Sequence, residues 1–130
     1  MNRVVHFEIH TDNPQRTAKF YGDLFGWTFE QWGTQEYWMV MTAPKESKAM
    51  GINGGLMPRK GGKPSEGMGA NAFVCTTDVE NVDAMVAKAI SLGGSLAVPK
   101  SAIPGMAWLA YCRDTEGNMF GLFQEDKTAK

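Results

Sequence analysis

Residues 51–58 read GINGGLMP and residues 117–124 read GNMFGLFQ. A shift of 66 residues lays Gly51, Gly55 and Leu56 on Gly117, Gly121 and Leu122, and carries Asp12 onto Asp78. Self-similarity at a fixed offset is read first, because it decides the architecture. Around these anchors each half reads as a strand, a helix and three short strands. The expected fold is therefore α+β, with two βαβββ modules forming a cupped mixed sheet around a central cavity. The modules run over about 1–58 and 70–125, within one domain of 1–130.

The first strand sets the polarity of its module. From Val4 to His10 the residues alternate, with Val5, Phe7 and Ile9 on one face and His6, Glu8 and His10 on the other. Period two is the mark of a half-buried strand. Asn13-Pro14 then opens a helix, as N-cap and first helical residue. Thr17, Phe20, Tyr21 and Leu24 form its inner stripe, and Gly26 ends it. Residues 27–32, 36–42 and 52–57 are the next strands. Residues 59–69, rich in Gly, Pro and charge, are the linker. Its glycines and Lys63 do not make a phosphate loop, because Pro64 stands where Ser or Thr is needed. In the second half, strands are expected at 72–77, 95–98, 108–113 and 119–123. A helix carries Val82, Met85, Val86 and Ala89 inward, and a turn lies at Asp114-Thr115-Glu116-Gly117.

Composition narrows the class. Thirteen Lys and Arg face fourteen Asp and Glu, for a formal net charge of −1. The charges are interspersed, which argues against a nucleic-acid face or a polybasic membrane patch. The start is too polar for a signal peptide, and no apolar run reaches membrane-span length. The two cysteines, Cys75 and Cys112, form neither a CxxC pair nor a disulfide framework. The expectation is a cytoplasmic protein with no nucleic-acid or membrane partner. Cys75 is expected to lie buried against the second helix.

His6, Glu8 and His10 carry the chemical signal. Alternate side chains on one strand face stand about 7 Å apart. That spacing suits ligands converging on a divalent ion, and equally a histidine that exchanges protons beside a carboxylate. His6 and Glu8 are the candidate catalytic pair. Under the 66-residue shift His6 falls on Ala72, Glu8 on Val74 and His10 on Thr76, so the second half brings no matching ligands.

Four stretches, HFEIHTDNPQRTAKFYGDLFGW, GINGGLMP, DVENVDAMVAKAISLGG and IPGMAWLAYCRDTEGNMFGLFQ, together resemble the glyoxalase / bleomycin-resistance / extradiol-dioxygenase superfamily, also called vicinal oxygen chelate proteins. The chain looks closest to its small glyoxalase-like branch. The resemblance implies two modules around a shared cavity, often in a homodimer. In metal-dependent members it implies four ligands, on the first and last strand of each module. Those places here are His6, Gly55, Ala72 and Gly121, and only His6 has a donor side chain. The usual four-ligand chelate is therefore not expected, and no cofactor is. Metal-free members imply a cavity for a small apolar or aromatic molecule. Its expected lining is His10, Trp38, Gly55, Ala72, Trp108 and Gly121, with Trp27, Trp32, Tyr37, Tyr111 and Phe123 as further aromatic wall candidates. The alternative is a divalent-metal-dependent glyoxalase-like lyase, isomerase or dioxygenase that uses His6 and Glu8.

Overall fold

A cap residue and a glycine bound the first helix in the computed structural model, which describes residues 3–68 and 73–130. The Asn13 side chain accepts from the Arg16 N–H at 3.1 Å, and Pro14 begins α1 (Pro14–Phe25). Gly26 ends it in the left-handed region at φ 76°, its N–H donating to the Gly22 carbonyl. The helix α2 (Val82–Ser91) repeats the device, with the Asn81 side chain accepting from the Ala84 N–H at 2.9 Å. Each cap satisfies an N–H that the first helical turn leaves without a partner.

The strands are β1 (Phe7–Thr11), β2 (Thr28–Gln31), β3 (Trp38–Met41) and β4 (Gly54–Pro58), then β5 (Thr76–Asp78), β6 (Ser95–Ile103), β7 (Ala107–Arg113) and β8 (Met119–Glu125). They form two four-stranded sheets, ordered β1-β4-β3-β2 and β5-β8-β7-β6. In each, the first strand runs parallel to the last of its module and the other pairings are antiparallel. Each sheet with its helix is a βαβββ module, so the expected α+β class holds. The chain divides into two compact units, Met1–Lys63 and Pro64–Lys130. Among the described residues no helix is long and apolar enough to cross a membrane.

In the first unit α1 packs on β2 and β4. Phe20, Tyr21, Leu24, Val40 and Leu56 are buried there. Trp27, just past the helix, stacks on Tyr21 at 5.3 Å between ring centroids and lies 5.9 Å from Phe7. Phe7 therefore points to the helix side, as the alternation of β1 requires. Val5 does not join it. It lies ahead of β1 and is 76% exposed. In the second unit α2 covers β6, β7 and β8, and Val82, Ala89, Ala110, Cys112, Phe120 and Leu122 are buried.

The repeat is less uniform than a single offset. Glu8 pairs with Gly55 in the first module, but the partner of Gly121 in the second is Thr76. The last strands are thus 66 residues apart while the first strands, like the caps Asn13 and Asn81, are 68 apart. Thr76 holds the place of Glu8, and Val74, two residues earlier, holds the place of His6. This corrects the equivalence of His6 with Ala72; Ala72 itself lies outside the described residues. The strand expected at 72–77 is also shorter, 76–78, and Cys75 ahead of it is exposed rather than buried. The β6 strand runs longer than expected, to Ile103. It tolerates Pro99 because it is an edge strand with two register shifts.

The adjacent glycines of β4 give a paired test. A Cβ on Gly54 would sit 2.5 Å from the Phe7 carbonyl oxygen and 2.6 Å from its ring. A Cβ on Gly55 would meet only the far end of the Tyr37 side chain. Gly54→Ala is expected to cost about 1–3 kcal/mol, as overpacking against backbone does. Gly55→Ala should cost less than Gly54→Ala, since the obstacle is the end of a movable phenol rather than backbone, and its cost is that of the hydrogen bonds the phenol gives up, about 0.5–1.5 kcal/mol each. Urea unfolding of the two variants measures both.

Candidate functional site

The register of β1, β4 and β3 decides which side chains meet. Glu8 and Met39 both pair with Gly55, so their side chains share its face, opposite to α1. His6 and His10 share the parity of Glu8. Tyr37, immediately ahead of β3, shares the parity of Met39. Its hydroxyl lies directly over Gly55, where a side chain at that position would begin.

His6, Tyr37 and Glu8 form one hydrogen-bonded cluster, with His10 beside it. The Tyr37 hydroxyl lies 2.7 Å from His6 Nε2 and donates to Glu8 Oε2 at 3.3 Å. A phenol has one proton. When that proton is directed at Glu8, the tautomer of His6 that carries its hydrogen on Nε2 is the one that completes the first bond. The other carboxylate oxygen, Oε1, lies 3.8 Å from His10 Nε2. The chain of groups thus runs His6, Tyr37, Glu8, His10, across the solvent-side face of β1. Burial, then the negative charge of Glu8 and the hydrogen bond to it, hold the Tyr37 phenol above the ordinary tyrosine range.

The expected site residues divide between the two faces. Glu8, His10 and Gly55 lie together, with His6 tied to them through Tyr37. Trp38 does not join them. It pairs with Leu56 and sits on the helix side, one residue out of phase with Gly55. Trp108 is likewise on the helix side of its sheet. It pairs with Gln124, whose side chain reaches the Val82 N–H at the start of α2. Its indole N–H donates to Asp126 at 3.0 Å and Lys100 Nζ lies 4.7 Å over its ring. The residue beside Gly121 is instead Tyr111. Thr76 Oγ1 would stand 2.5 Å from a Cβ on Gly121, so a hydroxyl lies over the glycine in both modules. Sequence reading named Tyr37 only as a wall candidate and missed Thr76. The signal was the parity of β3 and β5, legible only once their register to the glycine strand is known.

The residues do not fit a four-ligand metal centre. The places equivalent by register are His6, Gly55, Val74 and Gly121, and three of them lack a donor atom in the side chain. Among the described residues no group of three or more His, Cys, Asp or Glu side chains could hold a metal ion.

The phenol offers a direct check on the cluster. Tyr37 becomes charged on losing its proton, and its folded value lies above the ordinary 10.0. Its contribution to stability is therefore complete below pH 10 and is lost as pH rises through the folded value. The phenolate absorbance of wild type minus that of Tyr37→Phe should titrate with a midpoint above 10. Glu8→Gln should lower that midpoint without fully restoring it, because burial is the larger cause.

Comparison with known proteins agrees with this architecture. The solved structure of a glyoxalase/bleomycin resistance protein from Albidiferax ferrireducens T118 gives TM-score 0.63 at 20% identity, covering 95% of this chain and 98% of that one. The fosfomycin resistance protein FosX from Listeria monocytogenes, in complex with Mn(II) and 1S,2S-dihydroxypropylphosphonic acid, gives TM-score 0.72 at 14% identity, covering 97% and 92%. TioX from Micromonospora sp. ML1 gives 0.65 at 15%, covering 96% and 100%. At these identities the likeness is one of fold. No curated protein sequence matches the chain. The family model described as Glyoxalase/Bleomycin resistance protein/Dioxygenase superfamily matches residues 3–122, and the chain belongs to that superfamily.

Proposed function

We propose that the protein binds a small, apolar or aromatic molecule on the face that carries His6, Glu8, His10 and Tyr37, without a four-ligand metal site. One observation carries the reading. The Tyr37 hydroxyl sits over Gly55 and engages His6 and Glu8 together, which makes a preformed polar spot beside apolar Met39. Sites for small molecules commonly combine a few converging polar groups with apolar walls. Glycine at position 55 is what lets another group approach the strand closely. His6 and Glu8 supply acid–base capacity to whatever binds, since an imidazole and a carboxylate are linked through one phenol.

The superfamily reading with a divalent metal on His6 and Glu8 makes a different demand. It requires one tightly held metal per chain that is lost in His6→Ala, which elemental analysis measures. The binding reading also places the protein in the cytoplasm as a homodimer. The exposed Val4 and Val5 ahead of edge strand β1 are apolar area that a partner would cover. Light scattering at micromolar concentration should return twice the chain mass.

A thermal-shift screen of small aromatic compounds tests binding itself, because a ligand of the native state raises the melting temperature by mass action. For a compound found in this way, His6→Ala is expected to weaken binding about tenfold, the equivalent of one hydrogen bond. The melting temperature of the free variant should stay close to that of wild type, since His6 is exposed. A His6→Ala protein that unfolds, or that binds every compound as wild type does, would remove His6 from the site.

A further inference from the structure

We infer that Tyr37 is an internal occupant of the site, and that the external ligand carries a neutral hydroxyl group that replaces the Tyr37 hydroxyl between His6 and Glu8. The inference rests on the binding reading above and names the chemistry of its ligand.

The position is defined by two neighbours with opposite requirements. A group there lies 2.7 Å from His6 Nε2, which donates in one of its tautomers, and donates to Glu8 Oε2 at 3.3 Å. A hydroxyl accepts and donates at once. A carboxylate oxygen has no proton to give Glu8, and its charge would face the Glu8 carboxylate. A methyl group satisfies neither neighbour and would leave polar atoms unpaired.

The occupant is also displaceable. Tyr37 precedes β3 rather than lying within it, so its side chain can turn away while the pairings of Trp38 with Leu56 and Met39 with Gly55 persist. It is carried by an exposed loop that includes Gly33 at φ 58°. The Tyr37 carbonyl is held by the Trp32 N–H at 2.8 Å, which fixes the backbone and leaves the ring as the moving part. The polar spot outlasts the ring. Glu8 has His10 near its other oxygen, at 3.8 Å, so a second group stays beside the carboxylate when the ring turns away. Beneath the hydroxyl, Gly55 presents only backbone, and any side chain there would overlap the place that the hydroxyl occupies.

The experiment uses three probes on the full chain. 4-Methylphenol reproduces the tyrosine side chain, toluene lacks the hydroxyl, and 4-methylbenzoate replaces it with an anion. Each is titrated by NMR into wild type and Tyr37→Ala, with the ring of Tyr37 carbon-labelled in the wild type. The expected result is at least tenfold tighter binding of 4-methylphenol than of either other probe by Tyr37→Ala, and weaker binding of it by wild type. In wild type the Tyr37 ring resonance should move as 4-methylphenol saturates, and toluene should leave it in place. The wild-type resonance decides the matter even where Tyr37→Ala does not fold. Binding beside His6 with no preference for the hydroxyl, or with the Tyr37 resonance unmoved, overturns the inference and leaves the binding reading standing. No binding of any aromatic probe beside His6 overturns both.

Discussion

Two consecutive glycines, Gly54 and Gly55, paired in parallel register with Phe7 and Glu8, are the constraint on which the first module depends. Successive residues of a strand face opposite ways. Gly54 therefore opens room on the helix side, and Gly55 opens room on the other. The Phe7 ring fills the first space and continues into Trp27 and Tyr21. The Tyr37 hydroxyl fills the second and gathers His6 and Glu8. Core and candidate site are thus two faces of one pairing. A register slip of a single residue would exchange them, putting an aromatic ring in the polar cluster and a carboxylate against the helix.

The second module keeps the geometry and changes the chemistry. Gly121 takes the place of Gly55 and Thr76 the place of Glu8, so a hydroxyl again covers a glycine. No imidazole or carboxylate stands where His6 and Glu8 would fall, since those places hold Val74 and Thr76. Its Asp114 carboxylate is used within the turn between β7 and β8, where it accepts from the Glu116 and Asn118 N–H groups at 2.8 and 2.9 Å. The duplication supplies a scaffold twice and a titratable cluster once.

Much of this was legible in the sequence because it follows from local periodicity. Alternation in FEIHT separates Phe7 and Ile9 from Glu8 and His10. Asn13-Pro14 and Gly26 bound the first helix by capping chemistry that acts over three residues. The parts that were not legible depend on register between distant strands. A shift of 66 aligned the glycines correctly and misplaced the first strand by two residues, because the length between helix and last strand differs in the two modules. Trp38 and Trp108 were favoured as large aromatics, yet strand parity puts each on the helix side. Cys75 has the parity of a helix-facing residue, but β5 begins after it, so alternation has no strand to act on there.

Glycine at position 55 decides what His6 meets, because it leaves room for the Tyr37 hydroxyl. A histidine among four ligands is held by the ion, and its second nitrogen is set by the surrounding shell. Here His6 Nε2 is turned to a phenol instead, and the phenol to a carboxylate, so the same strand position becomes one end of a proton-bearing chain. Such a chain needs no ion to orient it, because Gly55 admits the phenol and β1 spaces His6 and Glu8 on one face. Burial and the neighbouring carboxylate hold the Tyr37 phenol above the ordinary tyrosine range, which extends to higher pH the interval in which it can give a hydrogen bond.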